Sequence, residues 1–327
     1  MFKLKPAALA VAIALFLLSS VVFAADDQTL AFLLNRGDEQ LKSQQYDDAI
    51  TTFSQLLQLD PTNPTAYDRR GVAFLRKKDY TLAINDFTKA IEYNPQSFQA
   101  FANRGEAQAR LNLNDLAVAD FTAAIRLNPA YPLPYFARGA LYVRFKNYDL
   151  AIDDYTRLIE IAPDSLSYLC RAGVYYLGTQ QYDLALADLN TAIGLDPLNS
   201  RAYRLRNSIN TELKNYDQVI IDCTAILDRA PSDISALIAR GNAYGLSGQY
   251  DKAIIDSQKA IQLDDKKVSA HYNLAQAYEL SGQKGAALKE YQLALRLFPD
   301  NPAIYANERQ KGQARLNGEW NSQKEWL

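Results

Sequence analysis

The chain has 327 residues, 48% of them hydrophobic and 22% charged, which is enough apolar material for one large core or several small ones. Its ordinary Gly, Pro and charged content excludes wholesale disorder. A formal charge of −2 excludes a global attraction to nucleic acid or anionic lipid.

The chain begins "MFKLK", with Lys3 and Lys5, followed by an apolar run from Ala7 to Leu18 and then "SSVVFAADD". Val22 and Ala24 stand three residues and one residue before the Ala24–Ala25 bond, as small residues do at a signal-peptidase site. The pattern predicts a signal peptide over 1–24 and an exported chain, periplasmic in a bacterium. Removing 1–24 takes two lysines and no acid, so the charge becomes −2 − 2 = −4. The alternatives are a secreted chain, or an uncleaved inner-membrane anchor facing the periplasm. The apolar stretch to Ala24 is about long enough to span a bilayer if Ser19 and Ser20 are tolerated.

Downstream, "YDDAI" at Tyr46 returns as "YTLAI" at Tyr80, "NDLAV" at Asn114, "YDLAI" at Tyr148, "YDLAL" at Tyr182, "YDQVI" at Tyr216, "YDKAI" at Tyr250 and "KGAAL" at Lys284. Every step is 34 residues, the period of a helix–turn–helix solenoid unit. One column is small: Gly37, Gly71, Gly105, Gly139, Gly173, Asn207, Gly241, Ala275. A second, also small, runs from Ala49 to Ala287, broken only by Val219. A third is large, beginning Phe53, Phe87, Phe121, Tyr155, Leu189 and continuing Cys223, Ser257, Tyr291. Small residues let two helices approach, and the large column fills the space between them. Prolines from Pro61 to Pro299, absent only at Asp265, end the second helix of each unit. Asn63, Ser97, Ser165, Asn199, Asp233 and Asn301 follow as predicted N-caps.

On these columns the chain resembles the tetratricopeptide-repeat (TPR) proteins over nearly all of its length past residue 25. The resemblance implies an all-α, right-handed α-solenoid, a superhelix of helix-turn-helix repeats with a C-terminal capping helix. The predicted solenoid covers 25–301, with eight repeats at about 30–63, 64–97, 98–131, 132–165, 166–199, 200–233, 234–267 and 268–301. An end unit needs a cover for its apolar face. Residues 302–316, with Ile304, Tyr305 and Leu316 apolar, are read as the cap. A tail over 317–327 holds Trp320 and Trp326, which either fold back on the cap or engage a partner.

The residues offer no site for catalysis. His271, the single histidine, falls in an aromatic column with Tyr67, Phe101, Tyr135 and Tyr203, which predicts packing. One histidine and two distant cysteines make no zinc site, and no phosphate loop or nucleophile motif occurs. No metal, cofactor or enzymatic activity is expected. Cys170 and Cys223 stand more than one repeat apart, too far for a disulfide, and are expected as buried thiols.

Two charged columns call for another explanation. Asp86, Asp120, Asp154, Asp188, Asp222, Asp256 and Glu290 form one, with Thr52 in the first repeat. Arg36, Arg70, Arg104, Arg138, Arg206 and Arg240 form the other, broken by Ala172 and Leu274. They predict a ladder of inter-helix ion pairs that serves register. Repeat six departs most, with Asn207 and Val219 enlarged, and its helices are expected to be pushed apart.

In TPR proteins, ligands usually lie in the concave groove lined by the first helices. That resemblance selects Arg69, Arg76, Arg110, Arg144, Arg171, Arg201 and Arg204 as a basic rim, over an apolar floor of Phe136, Ala140, Val143, Val174 and Leu177. Such a groove suits an extended or helical peptide with acidic groups. The expected function is a non-catalytic scaffold acting after export, holding a protein or peptide and no nucleic acid. A membrane-anchored assembly factor and a self-associating structural protein are the alternatives, and a membrane partner enters only if 1–24 is retained.

Overall fold

The computed structural model describes residues 27–297 and 306–318. The predicted signal segment, the first residues of the predicted cap and the tryptophan tail lie outside the described residues. Among the described residues there are seventeen helices and no strand. The helices fall into two compact units, one ending at Ile161 and the other starting at Ala162.

The first unit holds α1 (Asp27–Lys42), α2 (Tyr46–Leu59), α3 (Pro64–Arg76), α4 (Tyr80–Tyr93), α5 (Phe98–Arg110), α6 (Asn114–Leu127), α7 (Pro132–Arg144) and α8 (Tyr148–Ile161). The second holds α9 (Ser165–Leu177), α10 (Tyr182–Leu195), α11 (Ser200–Glu212), α12 (Tyr216–Leu227), α13 (Ile234–Leu246), α14 (Tyr250–Leu263), α15 (Val268–Leu280), α16 (Lys284–Leu297) and α17 (Ala306–Leu316). Within each unit every helix packs on the next in sequence, and α1 with α3, α3 with α5, α5 with α7, α9 with α11 and α13 with α15 also touch. This is the arrangement of an α-solenoid, in which each hairpin buries its apolar face on its neighbours.

The columns explain the packing. Phe53 and Phe87 are fully buried and Phe121 is 2% exposed, and burying such a side chain stabilises by about 1.5–3 kcal/mol. Each ring lies against the glycine 16 residues earlier. A Cβ on Gly71 would sit 2.8 Å from the Phe87 ring, and one on Gly37 2.5 Å from Phe53. In repeat six the volumes are exchanged: Asn207 fills part of the space that Cys223 leaves, and its Nδ2 donates to Cys223 Sγ at 3.2 Å. The exchange fills the site only in part: Asn207 and Cys223 both line a cleft, and α11 and α12 make the least extensive contact of the eight hairpins. In repeat eight Ala275 faces Tyr291, whose hydroxyl donates to Glu279 Oε2 at 2.7 Å.

The ends of the helices follow local chemistry. The Asn63, Ser97, Asn199 and Asp233 side chains accept from the backbone N–H three residues on. Between the two helices of each hairpin one residue adopts positive φ, from Gln44 at 59° to Gly282 at 83°, always 34 residues apart. Only repeats seven and eight place glycine there, at Gly248 and Gly282; Lys78, Lys146 and Lys214 hold the same left-handed turn at a steric cost of about 1 kcal/mol.

Repeat five departs from the register. Its N-cap is Asp164, not Ser165, and Asp164 accepts from Ser167 N at 2.7 Å. Ser165 is instead the first helical residue, buried, and donates to Ala192 O. The first helix therefore begins one residue early, and the turn to α10 absorbs the difference, with Gln181 N–H reaching back to Tyr175 O. The slip moves every side chain of α9 by one place. Ala172, fully buried, packs in one core cluster with Leu189 and takes the small position, while Gly173 has open space where a Cβ would be. Val174 is 3% exposed and belongs to the core, which corrects its assignment to the groove floor.

The cap helix, described over Ala306–Leu316, docks through polar groups as well as apolar ones. Arg315, 3% exposed, donates from Nε to Glu279 Oε1 at 2.9 Å, and Gly312 lies against Tyr291 and Leu295.

Candidate functional site

The predicted ladder is present in both units. Arg70–Asp86, Arg104–Asp120, Arg138–Asp154, Arg206–Asp222 and Arg240–Asp256 pair through Nε and Nη2, with all ten distances between 2.6 and 2.9 Å. This two-pronged geometry is where a guanidinium binds a carboxylate most strongly. The third nitrogen, Nη1, donates to Ser54, Thr88, Thr122, Asn190 and Thr224 of the preceding hairpin. Each arginine thus clips its own second helix to the previous one. The signal for this third partner was present in the sequence as a Ser/Thr/Asn column directly after the large one.

Two ladder members differ from expectation. Arg171, predicted for the groove rim, pairs with Asp188 at 2.7 and 2.8 Å and belongs to the ladder. His271 is buried as predicted, but it also takes the place of an arginine: Nδ1 lies 2.7 Å from Glu290 Oε2, and Nε2 lies 3.0 Å from Asp265 O. In the first repeat Arg36 is exposed and Thr52 stands where the acids stand elsewhere.

In the first unit, Arg110, Phe136 and Ala140 border one cleft of ≈ 370 Å³ between α5 and α7, with Asn103, Glu106 and Leu133. Leu133 is 56% exposed, and the Phe136 ring rests near Tyr155, with centroids 6.5 Å apart. Val143 is half-buried and outside the cleft lining. The rim is less basic than its arginines suggest. Glu106 lies 3.5 Å from Arg110, and Arg69 contacts Asp38 at 3.1 Å and Asp68 at 3.3 Å. Asp68 also accepts from Asn103 at 3.2 Å. Burial pushes the Asp68 carboxyl above the ordinary carboxylate value, against the pull of Arg69 and Asn103. Burial, then the charges of Asp68 and Glu106, raises the Tyr131 phenol. Arg76 and Arg144 are exposed, and among the described residues no carboxylate lies within ion-pair distance of either; Arg144 donates to Asn112 Oδ1 at 3.0 Å.

In the second unit Arg204 pairs with Asp233 and lines a cleft of ≈ 410 Å³ that includes Asn207 and Cys223. Arg201 is exposed, and Leu177, 75% exposed, stands near the end of α9 where Arg76, Arg110 and Arg144 stand in theirs. Both cysteines are free. Burial pushes the Cys170 thiol up to about 11 and the Cys223 thiol up to about 12, so neither is a thiolate nucleophile at neutral pH. Among the described residues no group of three or more His, Cys, Asp or Glu side chains could hold a metal ion, and no helix is long and apolar enough to cross a membrane.

Family profiles described as TPR repeat match residues 37–78 and 241–282, and profiles described as tetratricopeptide repeat match 79–132, 103–165, 170–234 and 268–301. The chain belongs to the tetratricopeptide-repeat family. No curated protein sequence matches this TPR chain. Among solved structures it is similar to a tetratricopeptide repeat protein from Parabacteroides merdae, at TM-score 0.53 and 18% identity over 78% of this chain and 99% of that one. It is similar to the C-terminal part of a TPR repeat-containing protein from Cytophaga hutchinsonii, at TM-score 0.54 and 20% identity over 85% and 98%. Pseudomonas aeruginosa pilF matches at TM-score 0.55 and 16% identity over 63% and 93%. At these identities the likeness is one of fold. The TPR fold is that of protein–protein interaction scaffolds, and the family is generally non-catalytic.

Proposed function

We infer that this TPR chain is a non-catalytic scaffold that acts after export and holds an extended segment of a partner protein against its first helices. One observation carries the reading: Arg110, Phe136 and Ala140, chosen from the family resemblance, border a single cleft with a largely apolar lining. An apolar floor beside one acid and one base suits a segment that inserts an aliphatic or aromatic side chain and presents polar groups to Asn103, Glu106 and Arg110. Because Arg110 and Arg69 already have carboxylate neighbours, acidic groups on the ligand would be met by Arg76 and Arg144. Export rests on the lysine-bearing apolar segment and the Val22–Ala24 pattern; sequencing of the exported protein should start at Ala25, whereas a start at Met1 points to the anchored form.

The groove reading is tested with a photoreactive residue at Ala140, which is exposed at the cleft. In the native compartment it should crosslink a defined partner. Phe136→Ala with Arg110→Glu should weaken capture by roughly tenfold or more, as loss of a central anchor does. Unchanged capture by that double variant, correctly folded, would sink the idea.

A further inference from the structure

The cleft of repeat six, ≈ 410 Å³, lies between α11 and α13 over the second helix α12. In repeats one to four an aromatic ring stands at the position of Cys223 and a glycine at that of Asn207. Here Cys223, Ile226 and Ala236, all buried, form an apolar floor. Asn207 is the polar group beside them. It is 6% exposed, its Nδ2 donates to Cys223 Sγ at 3.2 Å, and its Oδ1 accepts no hydrogen bond among the described residues. A buried acceptor without a donor is costly, and a donor that arrives with a ligand removes that cost.

The rest of the lining also offers acceptors. The Thr211 hydroxyl donates to Asn207 O at 2.7 Å and the Ser208 hydroxyl to Arg204 O at 3.2 Å, so both protons are already committed. The Tyr176 hydroxyl donates to Glu212, whose carboxylate can only accept. Arg204 and Ser235 stand at the exposed edge, and Arg204 is held by Asp233 at 2.5 Å.

Such a cleft selects an apolar body that carries a proton to donate and no acceptor. Hydroxyl, amide and imidazole side chains bring acceptors of their own. Lysine and arginine bring a full charge, which a floor of Cys223, Ile226 and Ala236 does not solvate. Indole is the neutral side-chain group that donates without accepting. We propose that this cleft seats the tryptophan side chain of a partner protein's extended segment, with the ring on Ile226, Ala236 and Ala239 and the indole N–H donating to Asn207 Oδ1. The site belongs to repeat six, which pairs asparagine with cysteine where other repeats pair a small residue with a ring. It rests on the scaffold reading but not on the cleft of the first unit: capture lost on changing Phe136 and Arg110 reports on that cleft and leaves this one untouched.

The test titrates the full chain, by ligand-observed NMR, with N-acetyl-tryptophanamide and with its 1-methylindole analogue, in which the donor is blocked. The parent compound should bind tighter by about tenfold or more. Asn207→Leu should remove that preference with helical circular dichroism unchanged. Asn207→Gly with Cys223→Phe, which refills the space with the protein's own ring, should abolish binding. Equal affinity of the two probes for the native chain overturns the proposal whatever the variants do. So does a preference that survives either substitution, and so does binding of free 3-methylindole without binding of the tryptophan amide, which marks a small-molecule site. Dimers in sedimentation that the double substitution separates overturn the choice of partner, because a second copy then supplies the tryptophan.

Discussion

Arg171 grips Asp188 with both prongs of its guanidinium, at 2.7 and 2.8 Å, although it stands one residue earlier in the 34-residue repeat than the arginines whose role it fills. The pair exists because α9 starts one residue early on Asp164, which rotates Arg171 toward α10 and brings Ala172 into the small position beside Leu189. The same rotation buries Val174. A reversal of Arg171 would therefore damage the fold and is unsuited to probing the groove.

The ladder should be a strong determinant of stability. Arg104→Leu leaves Asp120, 6% exposed, without its ion partner, and should cost about 3 kcal/mol. Adding Asp120→Leu should recover much of that loss, because desolvation of a lone buried charge is the larger penalty. Urea unfolding of both variants checks the order; a double variant no better than the single one contradicts it.

Glycine has opposite meanings in repeats two and five. Gly71→Ala drives a Cβ to 2.8 Å from the buried Phe87 ring and should destabilise by about 1–3 kcal/mol. Gly173→Ala meets nothing within 4 Å and should stabilise by up to about 1 kcal/mol through helix propensity. Thermal midpoints moving in opposite directions confirm the slip in α9; a shared loss refutes it.

Repeat six should tolerate a return to the common pattern only as a pair. Cys223→Phe alone places a ring against Asn207 and should cost about 1–3 kcal/mol. Asn207→Gly together with Cys223→Phe should recover most of it, a coupling that a double-mutant cycle reads directly.

Asp68 sets a pH dependence. Burial first, and then the Asp38 charge, hold its folded pKa above 3.8, opposed by Arg69 and Asn103. The folded chain thus binds this proton more tightly than the unfolded chain. The resulting stability is fully present below about 3.8 and is lost as pH rises through the folded value. Asp68→Asn should gain stability over the native chain at pH 7 and lose that advantage near pH 3. Denaturation at the two pH values checks the sign.

The hairpins, their caps and their core columns were legible in the residues because each depends on interactions a few positions apart, repeated every 34 residues. The Arg–Asp ladder was legible for the same reason: its partners keep a constant separation of 16. The groove residues were legible only in part. Whether Arg69, Arg110 and Arg204 present bare charge depends on acids that packing brings beside them, and whether Val174 faces a groove or the core depends on where α9 begins. Repetition carries everything that is local. Three exceptions were decided by which atoms met once the helices had packed: Arg171 supplying the guanidinium that Ala172 lacks in the arginine column, His271 standing in for an arginine, and Asn207 traded against Cys223.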